Sequence, residues 1–221
     1  MFSIQYFLKK ILFPEACVVC KKSPDILCNP CLHNLTIVPR IQKIGAYAQL
    51  TFFHYADKKI AKIIWELKYK NNRELRKLII DYLKSSLNQE LLYLIPDTQT
   101  HVYYISTPKT QRDTVKKRDF DHALLLTQAI QKTLPYPSTL LVDCIHKNTT
   151  KRQVEHTTRT ERIQHMHNTC SPRDTLKTLG QHTDPLIIID DVTTTGATRD
   201  EMIRVLKKNF TGKIIFIALA H

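Results

Sequence analysis

The stretch Leu186-Ile187-Ile188-Ile189-Asp190-Asp191-Val192-Thr193-Thr194-Thr195-Gly196-Ala197-Thr198 carries the main information about both the fold and the site. Four apolar residues predict a buried strand, and two acids follow at its carboxyl end. A hydroxyl-rich turn with one glycine then leads into a helix predicted over 196–209. Open α/β sheets bind ligands at this end of their strands. We therefore expect the ligand site here.

The chemistry of the turn predicts a sugar phosphate as ligand. Backbone N–H groups of a turn and of a helix N-terminus hold phosphate oxygens, and threonine hydroxyls add further donors. Carboxylates repel phosphate, so Asp190 and Asp191 are expected to accept hydrogen bonds from neighbouring sugar hydroxyls. A helix cap after a buried strand is the alternative, but it requires neither two acids nor three threonines. The predicted phosphate contacts are Thr193, Thr194, Thr195, Gly196, Ala197 and Thr198.

Apolar runs alternate with helical patterns over the last 120 or so residues, which predicts an α/β fold with a parallel sheet and helices on both faces. The predicted strands are 101–106, 139–145, 186–189 and 213–219, and a helix is predicted over about 119–133. Two amphipathic stripes separated by Asn71-Asn72 predict a helical hairpin over 55–95. We divide the chain into an N-terminal lobe (1–45) and a main domain (46–221), in which the hairpin precedes a sheet core over 100–221.

Four of the six cysteines form two C-x-x-C pairs with seven residues between them. Each pair places two thiolates on one side of a turn, and four thiolates complete the tetrahedral shell of a structural Zn²⁺. The alternatives are a redox C-x-x-C motif and disulfides, which need an oxidising compartment. The predicted zinc ligands are Cys17, Cys20, Cys28 and Cys31, in a lobe that depends on the metal to fold.

The net charge of +13 favours a polyanion as partner. Residues 58–77 hold eight basic residues against two glutamates, and the aromatic residues in or near this segment are Phe52, Phe53, Tyr55, Trp65 and Tyr69. Such a surface suits single-stranded DNA, because bases stack on exposed rings while lysines contact phosphates. A solvated basic face with its large aromatic residues in the core is the alternative. The predicted DNA contacts are Lys58, Lys59, Lys62, Trp65, Lys68 and Lys70, with Arg118, Lys151 and Arg152 as a second contributor.

No run approaches the roughly 18 apolar residues of a membrane span, so we expect a cytoplasmic protein. Residues 1–13 are apolar, but Lys9 and Lys10 interrupt them and no A-x-A cleavage site follows, which argues against a secretory signal. Two interpretations of residues 1–13 remain: a helix packed on the neighbouring domain, or an amphipathic helix at the inner face of the membrane.

The motif at 186–198 resembles the phosphoribosyl pyrophosphate (PRPP) signature of type I phosphoribosyltransferases. This resemblance implies that Asp190 and Asp191 face the ribose hydroxyls, that 194–198 hold the 5′-phosphate, and that Mg²⁺ accompanies the pyrophosphate. The family's pyrophosphate loop follows an earlier strand, and Ser106-Thr107-Pro108-Lys109-Thr110-Gln111-Arg112 stands in that place here. The residues that the resemblance assigns to pyrophosphate are Lys109, Thr110 and Arg112.

A cysteine lobe followed by this domain resembles the ComF (ComFC) family of competence proteins over essentially the whole chain. Further likeness lies in Ser106-Thr107-Pro108, in Lys117-Arg118-Asp119-Phe120-Asp121-His122, and in Gln153 followed by Glu161-Arg162. The chain departs from the family where Asp119 replaces a glycine and where Asp121-His122 replaces Asn-Gln. The resemblance implies DNA uptake in natural transformation, with single-stranded DNA and other DNA-uptake proteins as partners.

Phosphoribosyl transfer to a nucleobase or a related acceptor is the alternative function. Purine-salvage relatives carry an acidic general base where this chain has Thr194, and a hydroxyl at its ordinary pKa is a poor base near neutral pH. We therefore expect no purine salvage, and both functions remain candidates at this point.

Overall fold

The computed structural model describes residues 16–45, 47–108, 120–147, 170–173, 176, 183–208 and 210–221. The helices in these ranges are α1 (Asn29–His33), α2 (Lys58–Lys70), α3 (Arg73–Leu94), α4 (His122–Gln131) and α5 (Ala197–Leu206). The strands are β1 (Arg40–Ile44), β2 (Tyr47–Phe53), β3 (Val102–Ser106), β4 (Ser138–Leu141), β5 (Ile145–Lys147), β6 (Cys170–Pro172), β7 (Leu186–Val192) and β8 (Ile214–Ala220). Within these ranges, no helix is both long and apolar enough to cross a bilayer.

Six strands form the main sheet in the order β1-β2-β8-β7-β3-β4. All neighbouring pairs are parallel except β1 and β2, which are antiparallel. The unbroken apolar run at the start of β7 is typical of a parallel strand covered on both faces, and Leu186 to Ile189 are indeed fully buried. The predicted α/β fold with a parallel sheet is confirmed, apart from the antiparallel pairing of β1 with β2.

Helices cover both faces of the main sheet because alternate strand residues point to opposite sides. On one face, Ile187, Ile189, Ile215 and Ile217 share a core with α2, α3 and α4. On the other face, Leu186, Ile188, Ile214 and Phe216 pack with α5. Apolar residues of the cysteine lobe belong to the first of these cores, so the lobe packs directly on the helical layer.

The predicted hairpin over 55–95 corresponds to α2 and α3. Asp57 caps α2 by accepting a hydrogen bond from the N–H of Lys59, and Asn71 ends it in the left-handed conformation, with φ of 49°. Asn72 then caps α3 through the N–H of Leu75. Two adjacent asparagines can end one helix and start the next because Asn tolerates both the left-handed and the N-cap conformation.

The predicted strand over 139–145 is wrong as a single element. Strand β4 ends at Leu141, and Ile145 begins β5, which pairs with β6 in a separate two-stranded sheet. Between them, Asp143 adopts the left-handed conformation with φ of 60°, which turns the chain out of the main sheet. An ion pair between Asp143 and Arg173, 3.0 Å long, lies at this turn.

The sequence analysis did not predict β1 and β2. Gln49 and Thr51 interrupt the apolar pattern of β2, although both are buried in the structure. Strand β1 lies within residues 1–45, the predicted lobe, yet it pairs with β2 over five positions from Arg40 to Ile44. The main sheet therefore includes residues that the sequence analysis placed in the lobe.

Candidate functional site

The acidic pair lies at the carboxyl end of β7, between the ends of β3 and β8. Oδ1 of Asp190 accepts a hydrogen bond of 3.1 Å from the hydroxyl of Thr107 and one of 2.8 Å from the N–H of Asp191. Thr107 follows directly after β3, so two adjacent parallel strands build this part of the site. This is the edge of the sheet at which the sequence predicted the ligand.

Asp191 is held by two basic side chains from different helices. Nζ of Lys68 in α2 and Nε2 of His122 in α4 each lie 3.2 Å from its Oδ2 atom, which is shielded from solvent. Its Oδ1 atom accepts a hydrogen bond of 2.8 Å from the N–H of Val192. The side chain of Asp191 is 7% exposed, so these contacts replace its hydration.

The pKa values of the two carboxyls are shifted in opposite directions. Burial and the neighbouring charge of Asp191 raise the pKa of Asp190. Burial alone would also raise the pKa of Asp191, but the contacts with His122 and Lys68 outweigh it and hold that pKa below its usual range. Two adjacent carboxyls in one site favour this outcome, because keeping both ionised costs more than keeping one protonated.

The turn after the acidic pair is the segment for which the sequence predicted phosphate contacts. Gly196 adopts the left-handed conformation, with φ of 77°, immediately before α5. The N–H of Thr193 donates to the main-chain oxygen of Ala220, and the N–H of Ala197 donates to the hydroxyl of Thr195 at 3.3 Å. Thr194 is exposed, so its hydroxyl lies at the surface of the turn.

Arg199 lies against this turn from the first turn of α5. Its guanidinium occupies the space that a Cβ atom at Gly196 would need. The guanidinium also contacts the side-chain oxygen of Gln49, donates to Asp200 at 2.9 Å and stacks over Tyr47 at 5.7 Å. A positive charge is thereby fixed beside the predicted phosphate loop.

Some predicted ligand residues lie outside the described part of the chain. These are the pyrophosphate contacts Lys109, Thr110 and Arg112, and the second group of DNA contacts Arg118, Lys151 and Arg152. Residues 1–13, which were considered for a membrane-surface helix, also lie outside it.

The four predicted zinc ligands form one cluster. The thiols of Cys17, Cys20, Cys28 and Cys31 all lie within 4.8 Å of one another. The first pair lies on a turn closed by the N–H of Lys21, which donates to the oxygen of Cys17 at 2.9 Å. The second pair begins at the N-cap of α1 and continues into its first turn.

The ionisation of these thiols fits a bound cation. Backbone N–H groups outweigh burial at Cys17 and lower its pKa to about 6. At Cys31, burial and the neighbouring thiols raise the pKa to about 12. Four thiolates therefore repel one another unless a positive charge lies between them, and a tetrahedral Zn²⁺ would supply that charge.

The aromatic residues of the predicted DNA surface separate into two groups. Trp65 is 51% exposed and Tyr69 is 46% exposed, with their ring centroids 5.3 Å apart. Nζ of Lys70 lies 5.8 Å from the centre of the Trp65 ring. Phe52 and Phe53 are buried in β2, so their assignment to this surface is wrong. They point into the core because β2 is an interior strand of the sheet.

The lysines of α2 also differ in their surroundings. Lys58 and Lys70 are exposed. Nζ of Lys59 donates to the oxygen of Asn34 at 3.0 Å, and Nζ of Lys62 donates to that of Val19 at 3.2 Å, so both contact the cysteine lobe. Lys68 turns away from the solvent face and joins the acidic pair. The lysines of α2 therefore make contacts with the cysteine lobe and with the acidic pair, and only some of them are left at the exposed surface.

Three residues of the site carry no role in the predictions from sequence: Thr107, His122 and Arg199. Thr107 and His122 lie in segments singled out for their family resemblance, but nothing in the local sequence connects them to Asp190 and Asp191. Arg199 is found only from the position of its guanidinium against Gly196.

No family model and no curated protein matches this chain. Among solved structures, a hypoxanthine phosphoribosyltransferase from Staphylococcus aureus is 12% identical, with a TM-score of 0.38 over 62% of this chain and 61% of that chain. An adenine phosphoribosyltransferase from Leishmania tarentolae is also 12% identical, with a TM-score of 0.39 over 82% of this chain and 94% of that chain. The first match spans less than two thirds of the Staphylococcus protein. Likenesses of this size carry no argument about activity, and the α/β architecture stands on its own strand order.

Proposed function

We propose that the protein binds PRPP or a related phosphoribosyl ligand at residues 190–198, and that it handles single-stranded DNA during DNA uptake. One observation carries the first part of this proposal. An acidic pair ends a central parallel strand and leads directly into a turn with a left-handed glycine at the N-terminus of α5. Such an arrangement offers hydroxyl acceptors and phosphate donors side by side.

The two halves of the site have different tasks in this proposal. The N–H groups at the start of α5 and the threonine hydroxyls bind the 5′-phosphate, and Arg199 adds a fixed positive charge beside them. The acidic side of the site accepts hydrogen bonds from the ribose hydroxyls. Mg²⁺ enters with the ligand as the counter-charge of its pyrophosphate.

Calorimetric titration with PRPP tests this part of the proposal. We expect wild-type protein to bind PRPP more tightly with Mg²⁺ than without it, and the double variant Asp190→Ala, Asp191→Ala to bind at least tenfold more weakly. Asp81→Ala is the matched control, because Asp81 lies on the exposed face of α3 and pairs only with Lys77 among the described residues. Equal affinity in the double variant would place the ligand elsewhere.

The exposed aromatic pair supports the second part of the proposal. Trp65 and Tyr69 offer two adjacent rings beside Lys70, and exposed rings of this kind stack on unpaired bases. Stacking contributes roughly 1 to 3 kcal/mol per base and depends little on sequence. A role in DNA uptake also implies a cytoplasmic location and contact with other uptake proteins.

Trp65 is the only tryptophan of the chain, so its fluorescence reports directly on this surface. We expect oligonucleotides of unrelated sequence to quench it, with an affinity that falls as salt rises. Trp65→Ala, followed by anisotropy of a labelled oligonucleotide, should weaken binding roughly tenfold, whereas Tyr93→Ala, which removes an exposed ring from the end of α3, should not. Affinity independent of salt and of Trp65 would contradict the DNA proposal.

Transfer of the phosphoribosyl group to purines is not part of the proposal. Thr194 is exposed and offers no acidic base at the position where purine-salvage relatives carry one. Incubation with PRPP, Mg²⁺ and hypoxanthine, guanine or xanthine should therefore release no appreciable pyrophosphate. Rapid release with any of these bases would instead support the alternative function, phosphoribosyl transfer to a nucleobase.

A further inference from the structure

The side-chain oxygens of Asp190 and Asp191 differ in burial and in the basic groups that they contact. Both oxygens of Asp191 contact protein groups: Oδ1 accepts hydrogen bonds from the N–H of Val192 and from Nζ of Lys68, and the buried Oδ2, which accepts no hydrogen bond among the described residues, lies 3.2 Å from Lys68 and from His122 in ion pairs. Asp190 accepts hydrogen bonds only through Oδ1, from the hydroxyl of Thr107 and from the N–H of Asp191. Its Oδ2 atom has neither a hydrogen-bond partner nor an ion-pair partner in the part of the chain that the structure describes.

We propose that Asp190 alone accepts the sugar hydroxyls of the ligand, and that Asp191 is a positioning residue that ties α2 and α4 to β7. This inference rests on the proposed phosphoribosyl site and assigns different tasks to two acids that the sequence treats as equivalent. The class of ligand is unchanged: a sugar phosphate whose hydroxyl groups lie next to Asp190.

Burial supports this division. The side chain of Asp191 is 7% exposed and its Oδ2 atom is shielded from solvent, so a hydroxyl can reach it only by displacing Lys68 or His122. Displacing either would leave a partly buried basic side chain without its partner, and breaking a buried pair in this way is destabilising. Asp190 is half-buried, and its free oxygen requires no such exchange.

The charges around the two carboxyls support the same division of tasks between Asp190 and Asp191. Lys68 and His122 hold Asp191 in its ionised form, so its charge is already compensated inside the protein. Asp190 lacks a cation in direct contact among the described residues, and its carboxylate gains most from a hydroxyl donor. A hydrogen bond to a charged group contributes more than one between neutral groups.

Single substitutions can separate the two tasks, with ribose 5-phosphate and inorganic phosphate as probes at pH 8. For each variant, the affinity for ribose 5-phosphate is divided by the affinity for inorganic phosphate. This ratio measures what the sugar contributes to binding. Asp190→Asn keeps Oδ1 as the acceptor for Thr107 and replaces Oδ2 by an amide that cannot accept. We expect it to lower this ratio about tenfold or more.

Asp191→Asn is the matched variant. We expect it to keep the ratio within about twofold of wild type and to lower the midpoint of thermal unfolding, because Lys68 and His122 lose their partner. If Asp191→Asn does not fold, Lys68→Met and His122→Asn each release one contact and should likewise keep the ratio. A retained ratio in these variants supports the positioning role, since a direct ligand contact would lower it.

Two results overturn the inference while the proposed function survives. One is a ratio that falls in Asp191→Asn, or in both single-contact variants, as far as it does in Asp190→Asn. The other is an unchanged ratio in Asp190→Asn while wild-type protein binds both probes. Wild-type protein that binds neither probe contradicts the proposed phosphoribosyl site itself, and this inference falls with it.

Discussion

Asp190 and Asp191 are neighbours in the chain, yet the fold gives them opposite electrostatic surroundings. Asp191 faces Lys68 and His122, whereas Asp190 faces a hydroxyl and an N–H group. Burial therefore dominates at Asp190 and raises its pKa, while the contacts with His122 and Lys68 outweigh burial at Asp191 and lower its pKa. One acid can thus stay ionised while its neighbour remains close to a protonated state.

The raised pKa of Asp190 predicts a pH-dependent effect of Asp190→Asn on stability. The folded protein keeps this proton to a higher pH than the unfolded chain does, so the contribution of Asp190 is greatest in acid and falls as pH rises through its folded-state pKa. Relative to wild type, Asp190→Asn should gain on the order of 1 kcal/mol between pH 5 and pH 8. Urea unfolding at both pH values measures this, with Asp81→Asn as the exposed control. A difference from wild type that does not change with pH would contradict it.

Gly196 is constrained twice, by its backbone and by its surroundings. Its φ of 77° disfavours any side chain, and Arg199 occupies the position of a Cβ atom. Gly45 has a similar φ of 58° but nothing within 4 Å of that position. We expect Gly45→Ala to cost about 1 kcal/mol through backbone strain alone, and Gly196→Ala to cost more, because Arg199 must also move. Urea unfolding measures the loss of stability in each variant. Equal losses would mean that the Arg199 side chain moves aside without a cost in free energy.

At the scale of elements, α2 joins three parts of the molecule. Its buried stripe Ile60, Ile63, Ile64 and Leu67 packs on the sheet layer. Lys59 and Lys62 reach main-chain oxygens of the cysteine lobe, and Lys68 reaches the acidic pair. Trp65 and Tyr69 face solvent. One helix thus contacts the cysteine lobe and the acidic pair, and it carries the exposed aromatic pair.

The lysine contacts of α2 predict an effect on metal retention. Removing both with Lys59→Met and Lys62→Met should loosen the lobe, because the oxygens of Asn34 and Val19 lose their donors. We expect zinc transfer to a chromogenic chelator to become about threefold faster or more, in line with small net energies for exposed hydrogen bonds. Lys58→Met is the control, since Lys58 has no side-chain partner among the described residues. Equal transfer rates in the double variant and the control would contradict a docking role.

At the scale of the whole molecule, the cysteine lobe and the sheet share one core. Cys17, Val18, Ile26, Leu27 and Leu35 are buried in the same cluster as α2 and α3. Tyr82 of α3 adds a hydrogen bond of 2.7 Å to the oxygen of Leu35. Because lobe and helices bury each other's apolar surface, loss of one should weaken the other.

This shared core predicts that metal and main domain are coupled. Purified protein should carry about one zinc per chain, and its removal by a chelator should lower the unfolding midpoint of the whole chain in a single transition. Trp65 fluorescence and far-ultraviolet circular dichroism should report the same midpoint. Cys31→Ser should abolish zinc retention, whereas Cys144→Ala, which lies outside the cluster, should keep it. Folded protein with almost no zinc, or an apo form with an unchanged midpoint, would contradict the prediction.

Local patterns in the sequence were sufficient for several features of this protein. The apolar run, acids and turn of 186–198 predicted the end of β7 and the loop before α5. The stripe of α2 follows from its 3.6-residue period, and the spacing of the cysteines predicted their cluster. In each case the residues concerned lie close together in the chain, so backbone geometry alone brings them onto one face or turn.

Only the tertiary structure decided which groups meet across the fold. Lys68 and Asp191 are 123 positions apart, and their contact depends on α2 packing beside β7 in this sheet order. The same holds for Thr107 with Asp190 and for Arg199 with Gln49. Side-chain pairing between distant elements follows from strand order and helix placement, which no local period encodes. For this reason the sequence predicted two equivalent acids, whereas the fold places only Asp191 between Lys68 and His122.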